Sequence, residues 1–126
     1  MEDFVKIELA IKLKELGFNI PFFFYYRTDD KQLYHLVRSN PLVYGKDIID
    51  TEVVIAPTIA QVLKWLREEK RIEANGCYDN NEQQWLGYIC EMDVPDLYAF
   101  HTLKVHHKSY EEAALSAIEY VLDNLI

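Results

Sequence analysis

The chain has 126 residues, half of them hydrophobic and 27% charged, with a formal net charge of −8. This is a common size and an ordinary composition for one globular domain, so disorder over most of the length is excluded. The negative charge sets the surface against nucleic-acid phosphates and anionic membranes.

Two cysteines, Cys77 and Cys90, are too few for a disulfide framework. No positive segment leads into an apolar run at the start, so no signal peptide is read. The longest strongly apolar stretch, from Ile20 to Tyr26, contains Pro21 and is far too short to span a bilayer. A cytoplasmic protein with no membrane association is expected.

Leu9, Ala10, Leu13 and Leu16 recur at helical spacing among charged residues and predict an amphipathic helix over about residues 6 to 16. Gly17 supplies the left-handed residue that ends it. Phe22 to Arg27 is a run of β-forming residues. Thr28, Asp29, Asp30 and Lys31 carry turn chemistry, and Leu33 to Val37 resumes a strand pattern, which together predict a hairpin. Residues 38 to 52 hold Ser39, Asn40, Pro41, Gly45 and Asp47 and read as an irregular loop.

Val53 to Ile55 reads as a short strand. Thr58 with Gln61 forms a capping box, so a helix should begin at Ile59 and bury Ile59, Val62, Leu63, Trp65 and Leu66. Ile72 to Tyr78, Trp85 to Met92 and Tyr98 to Val105 read as three strands of an antiparallel meander. Ser109 with Glu112 is a second capping box, opening a helix from Tyr110 to Asn124. The pattern gives an α+β fold in one domain, residues 1–126. A two-stranded hairpin and a three-stranded meander should pack against about three helices.

The candidate chemistry is thin. His101, His106 and His107 cluster in sequence, but strand parity puts His101 and His107 on one face and His106 on the other, so no metal site is expected. A turn centred on Asn80 and Asn81 would pair Cys77 with Gln84 and Cys90 with Arg71, keeping the thiols apart and reduced. Asp47, Asp50 and Glu52 lack the spacing of a calcium loop. No Gly-rich phosphate loop or nucleophile elbow occurs, so neither a cofactor nor a catalytic residue is expected. The last helix carries Glu111, Glu112, Glu119 and Asp123 and no Lys or Arg, the wrong sign for nucleic acid.

The aromatic run is the informative feature. Phe22, Phe23, Phe24, Tyr25 and Tyr26 place rings at five consecutive positions, where a strand with one wet face should alternate. Large rings on both faces mark these residues as interface candidates.

The segment from Leu9 to Phe18, followed by Pro21 and the aromatics to Tyr26, then Ala56-Pro57-Thr58 leading into Val62 to Arg67, and the closing Ser109-Tyr110-Glu111-Glu112-Ala113, resemble small uncharacterised proteins of gut Bacteroidetes and their phages or prophages. The resemblance implies a bacterial cytoplasm and a mobile-element context. It implies no activity, because that family has none assigned. The function expected is a non-catalytic protein-protein interaction module that self-associates, most simply as a twofold dimer, with room for an unidentified protein partner. The alternatives are an acidic inhibitor of a host nucleic-acid enzyme and a small metal-dependent enzyme using the histidines.

Overall fold

The computed structural model describes residues 3–35, 43–44, 53–94 and 100–126. The chain divides into two compact units, Met1–Thr58 and Ile59–Ile126.

In the first unit, helix α1 spans Ile7–Glu15 and buries Ile7, Leu9, Ala10 and Leu13. It ends as its glycine foretells. Gly17 adopts φ 88°, and the Phe18 N–H donates back to the Leu13 carbonyl at 2.9 Å, the long closing bond of a Schellman motif. Strands β1 (Pro21–Phe22), β2 (Phe24–Arg27), β3 (Leu33–His35), β4 (Val43–Tyr44) and β5 (Val53–Ile55) follow.

The expected hairpin is present, with Tyr25 opposite Tyr34. In its turn the Asp30 carboxylate accepts from the Gln32 N–H at 3.0 Å. β5 joins the other side of β2, giving the antiparallel order β3-β2-β5.

Two sequence expectations change here. The aromatic run is not one strand: it divides at Phe23, because Pro21 and Phe22 pair with β4 while Phe24 onward pairs with β3 and β5. The stretch 38–52, expected to be irregular throughout, contains the two residues of β4; its other residues, like Val37, lie outside the described residues. A pairing two residues long leaves too short an alternation to read from sequence.

In the second unit, α2 (Ile59–Glu69) begins where Thr58 predicts and buries Ile59, Val62, Leu63, Trp65 and Leu66. Strands β6 (Ile72–Asp79), β7 (Gln84–Glu91) and β8 (Phe100–Thr102) form the antiparallel meander β6-β7-β8. The described part of the third strand starts at Phe100, since residues 95–99 lie outside the described residues. Helix α3 spans Tyr110–Asn124, and the Ser109 hydroxyl accepts from the Glu112 N–H at 3.2 Å. The Glu112 carboxylate reaches the Lys108 N–H at 3.3 Å.

The β6–β7 register differs from the expected one by two residues: Cys77 faces Leu86, and Cys90 faces Glu73. The reason is a longer turn. Asp79 and Gln84 close the ladder, the Asp79 carboxylate accepts from the Asn81 N–H at 3.0 Å, and Gln83 takes φ 54°. Both cysteines are free, as the conclusion about them required.

The fold class is α+β; the described residues form three helices and sheets that are all antiparallel. Among the described residues no helix is long and apolar enough to cross a membrane.

Packing in the second unit depends on two glycines. A Cβ on Gly76 would lie 2.8 Å from the Tyr110 ring and 2.9 Å from the Tyr110 carbonyl oxygen. One on Gly87 would lie 2.9 Å from Leu103 Cδ1 and 3.2 Å from the Ala113 carbonyl oxygen. At Gly76 the obstacle includes backbone, which cannot rotate aside. Gly76→Ala should therefore destabilise the protein by about 1–3 kcal/mol, the usual cost of overpacking, read as a lower denaturation midpoint with unchanged slope. Ser109→Ala should cost about 1 kcal/mol through loss of the α3 cap; an unchanged midpoint would mean the cap contributes nothing.

Candidate functional site

The expected interface residues are placed as follows. Phe22 is buried, 3% exposed. The Phe24 ring lies 4.9 Å from Phe4 and 4.7 Å from His35. Tyr25 stacks on Tyr34 at 5.6 Å. The Tyr26 hydroxyl donates to the Val5 carbonyl oxygen, and burial, helped by the Glu8 charge, pushes its phenol above the ordinary value. Phe23 alone is largely exposed, at 46%. Phe24, Tyr25 and Tyr26 thus have partners inside their own unit and Phe22 is buried, so the run does not form a continuous ring surface.

A more extensive face occurs on the β6-β7-β8 sheet. Side chains alternate across each strand. Ile72, Ala74 and Ile89 are buried, and Gly76 and Gly87 receive α3, so this face is the one beneath the helices. The opposite face carries Glu73, Asn75, Cys77 and Asp79 from β6, Gln84, Leu86, Tyr88 and Cys90 from β7, and Phe100 and Thr102 from β8.

Tyr88 sits at its centre. Its ring lies 5.9 Å from Phe100. Partial burial pushes its phenol upward, with the neighbouring Cys90 and Cys77 thiols adding to the shift. Phe100 remains 50% exposed and Cys77 is exposed. Cys77, Leu86, Tyr88, Cys90, Phe100 and Thr102 carry no formal charge, on a chain of −8; the charged residues of β6 on this face, Glu73 and Asp79, meet Arg67 and His106.

This face escaped the sequence reading although its signal was present. Trp85-Leu86-Gly87-Tyr88-Ile89-Cys90 is apolar at every position, the same break of alternation that singled out Phe22 to Tyr26. Gly87 hid the pattern, because it has no ring to mark the helix-covered side.

The three histidines do not converge. The His101 Nε2 lies 3.0 Å from Glu91 Oε2, and its ring packs on Tyr120. The His106 Nε2 lies 3.2 Å from Asp79 Oδ2. His107 exchanges backbone hydrogen bonds with Trp85, and its buried Nε2 has no partner. The parity expected for the histidines holds: His101 stands opposite Ile89 and His107 opposite Trp85, on one face of the sheet, while His106 reaches Asp79 on the other. Among the described residues no three of His, Cys, Asp and Glu come together as metal ligands would. Asp47, Asp50 and Glu52 lie outside the described residues.

No protein-family model, no curated protein and no solved structure matches this chain. The geometry of the sheet is therefore the basis for any functional reading.

The His106–Asp79 contact has a measurable consequence. The His106 hydrogen bond, followed by that from the Asn81 N–H, holds the Asp79 carboxyl below its ordinary value. A carboxylate with a lowered folded value contributes stability above its unfolded value and loses it as pH falls through the folded one. Asp79→Asn should therefore reduce stability at neutral pH and flatten the decline below about pH 4, measured by urea denaturation across pH. A parallel acid limb in both proteins would show that the contact does not form.

Proposed function

We propose that this chain is a non-catalytic protein-protein interaction module that self-associates through the face formed by Cys77, Leu86, Tyr88, Cys90, Phe100 and Thr102. The observation that carries the reading is a patch of six uncharged side chains, flanked by Glu73 and Asp79, with Phe100 half exposed, on the side of the β6-β7-β8 sheet away from the helices.

Charge selects the occupant. Two copies at −8 repel over the Debye length. A neutral patch meeting its own image juxtaposes no charged side chains from those six positions and permits sheet-on-sheet packing at roughly 10 Å. Burying the Tyr88 and Phe100 rings contributes roughly 1.5–3 kcal/mol each, set against the cost of association. A twofold contact uses each ring twice. The Phe22 to Tyr26 run is the weaker location, because Phe24, Tyr25 and Tyr26 are already engaged within the first unit and Phe22 is buried.

Sedimentation equilibrium at micromolar protein should show a dimer that tightens as salt screens the repulsion. Tyr88→Glu should yield a monomer, while Phe23→Ser should leave the dimer intact. A single 14.9 kDa species in low and high salt would overturn the reading, and a dimer lost only in Phe23→Ser would return the contact to the aromatic run.

A further inference from the structure

The outer edge of β8 is a second surface: it uses the backbone of Phe100 and Thr102, whose side chains belong to the face proposed for self-association. Backbone hydrogen bonds fix which way each residue of the sheet presents its polar groups. Trp85 and His107 donate to each other's carbonyls at 2.8 Å, and the Leu103 N–H donates to the Gly87 carbonyl at 2.9 Å. Trp85 and Gly87 thus turn their backbone groups toward β8, and alternate residues of an antiparallel strand turn the opposite way.

On β8 it follows that His101 and Leu103 bond inward, while Phe100 and Thr102 direct their N–H and C=O groups away from the sheet, with Lys104 next in line. By the same rule the outward residues of β6 begin with Ile72 and Ala74. These are only 4% and 1% exposed, so the first half of that edge is covered. Phe100, Thr102 and Lys104 are all exposed. Among the described residues these three make no backbone hydrogen bond outside the β7–β8 ladder, and their alternation turns their polar groups away from it. An open strand edge of this kind is a template for another strand.

The chemistry of the edge narrows what it takes. From Phe100 to Ser109 the formally charged side chains are Lys104 and Lys108, with no Asp or Glu. His101 and His106 in the same stretch each face a carboxylate of the hairpin. Neither lysine has an ion pair among the described residues. Val105 is 66% exposed where the chain bulges away beyond Leu103. Edge lysines ordinarily keep neutral and basic strands away; they also admit acidic ones. A second copy offers no Asp or Glu from Phe100 to Ser109 to meet Lys104, so a second copy is disfavoured here.

We propose that the β8 edge is a strand-addition site for an extended acidic segment of another protein. The segment would take main-chain hydrogen bonds from Phe100 and Thr102, rest an apolar side chain on Phe100 and set a carboxylate against Lys104. Main-chain pairing supplies affinity and the alternate side chains supply selectivity.

The probe is a short fluorescein-labelled peptide of alternating Glu and Val, titrated into the full chain by anisotropy and by amide NMR. The Phe100 and Thr102 amides should shift and gain protection from exchange. A Lys/Val peptide should not bind, and methylating alternate amides along one edge of the Glu/Val peptide should abolish binding. Thr102→Pro removes an outward donor and leaves the β7 ladder intact; it should weaken binding about fivefold, the value of one main-chain hydrogen bond. If that variant does not fold, Lys104→Glu serves without touching the backbone and should weaken binding by a similar factor. Equal binding of the Lys/Val or methylated peptide, shifts confined to Leu86 and Tyr88, or no binding at millimolar peptide would each overturn the proposal. Sedimentation of the same samples reports self-association separately, so a monomer that binds the acidic peptide refutes the dimer and leaves the edge site standing.

Discussion

The approach of α3 to the β6-β7 hairpin at Gly76 and Gly87 is the constraint on which the second unit depends. Helix backbone comes within 2.9 Å of where a Gly76 Cβ would be and within 3.2 Å of where a Gly87 Cβ would be. Ala113, Ala114 and Ala117 answer from the helix with the smallest side chains that still favour it, all fully buried. Such close packing commits one face of the sheet to the helix. The apolar side chains of the other face, Tyr88 and Phe100 above all, take no part in that packing.

The segment after β8 is tied down by a different kind of interaction. His101 meets Glu91 at one end of the hairpin, His106 meets Asp79 at the other, and the Trp85–His107 bridge holds the backbone between them. These contacts are only partly buried, and ion pairs in such positions contribute modestly. Their geometric role is clear: they fix the strap between the third strand and α3. The same arrangement explains why a histidine-rich stretch does not form a ligand cluster. Each ring is drawn to a different element. His107 stands apart, since its buried Nε2 lacks a partner. Replacing such an atom by an apolar group of similar shape costs little.

The legible parts of the sequence were those where local chemistry decides. Ser109 and Glu112 placed the start of α3 at Tyr110, Gly17 placed the end of α1, and Thr58 placed the start of α2, because caps and left-handed residues act within one turn of chain. Alternation of Ile72, Ala74 and Gly76 with Glu73, Asn75 and Cys77 gave β6 and its covered face. The candidate site was partly legible. The Trp85 to Cys90 run carries the two-sided apolar pattern, but rings at every position make the same pattern louder in Phe22 to Tyr26.

By itself, then, the sequence determined the α+β class, the three helices, the meander and the separation of Cys77 from Cys90. Its register for that hairpin was two residues out, because turn length depends on how Asp79 accepts from Asn81, a bond that composition does not announce. Only tertiary structure decided that β5 pairs with β2, that β4 pairs with β1, and that Phe22 is core while Phe23 is not. It also decided which sheet face and which strand edge stay open. Those outcomes depend on contacts between residues distant in the chain, and periodicity reports a residue's side of a strand without reporting what lies against it.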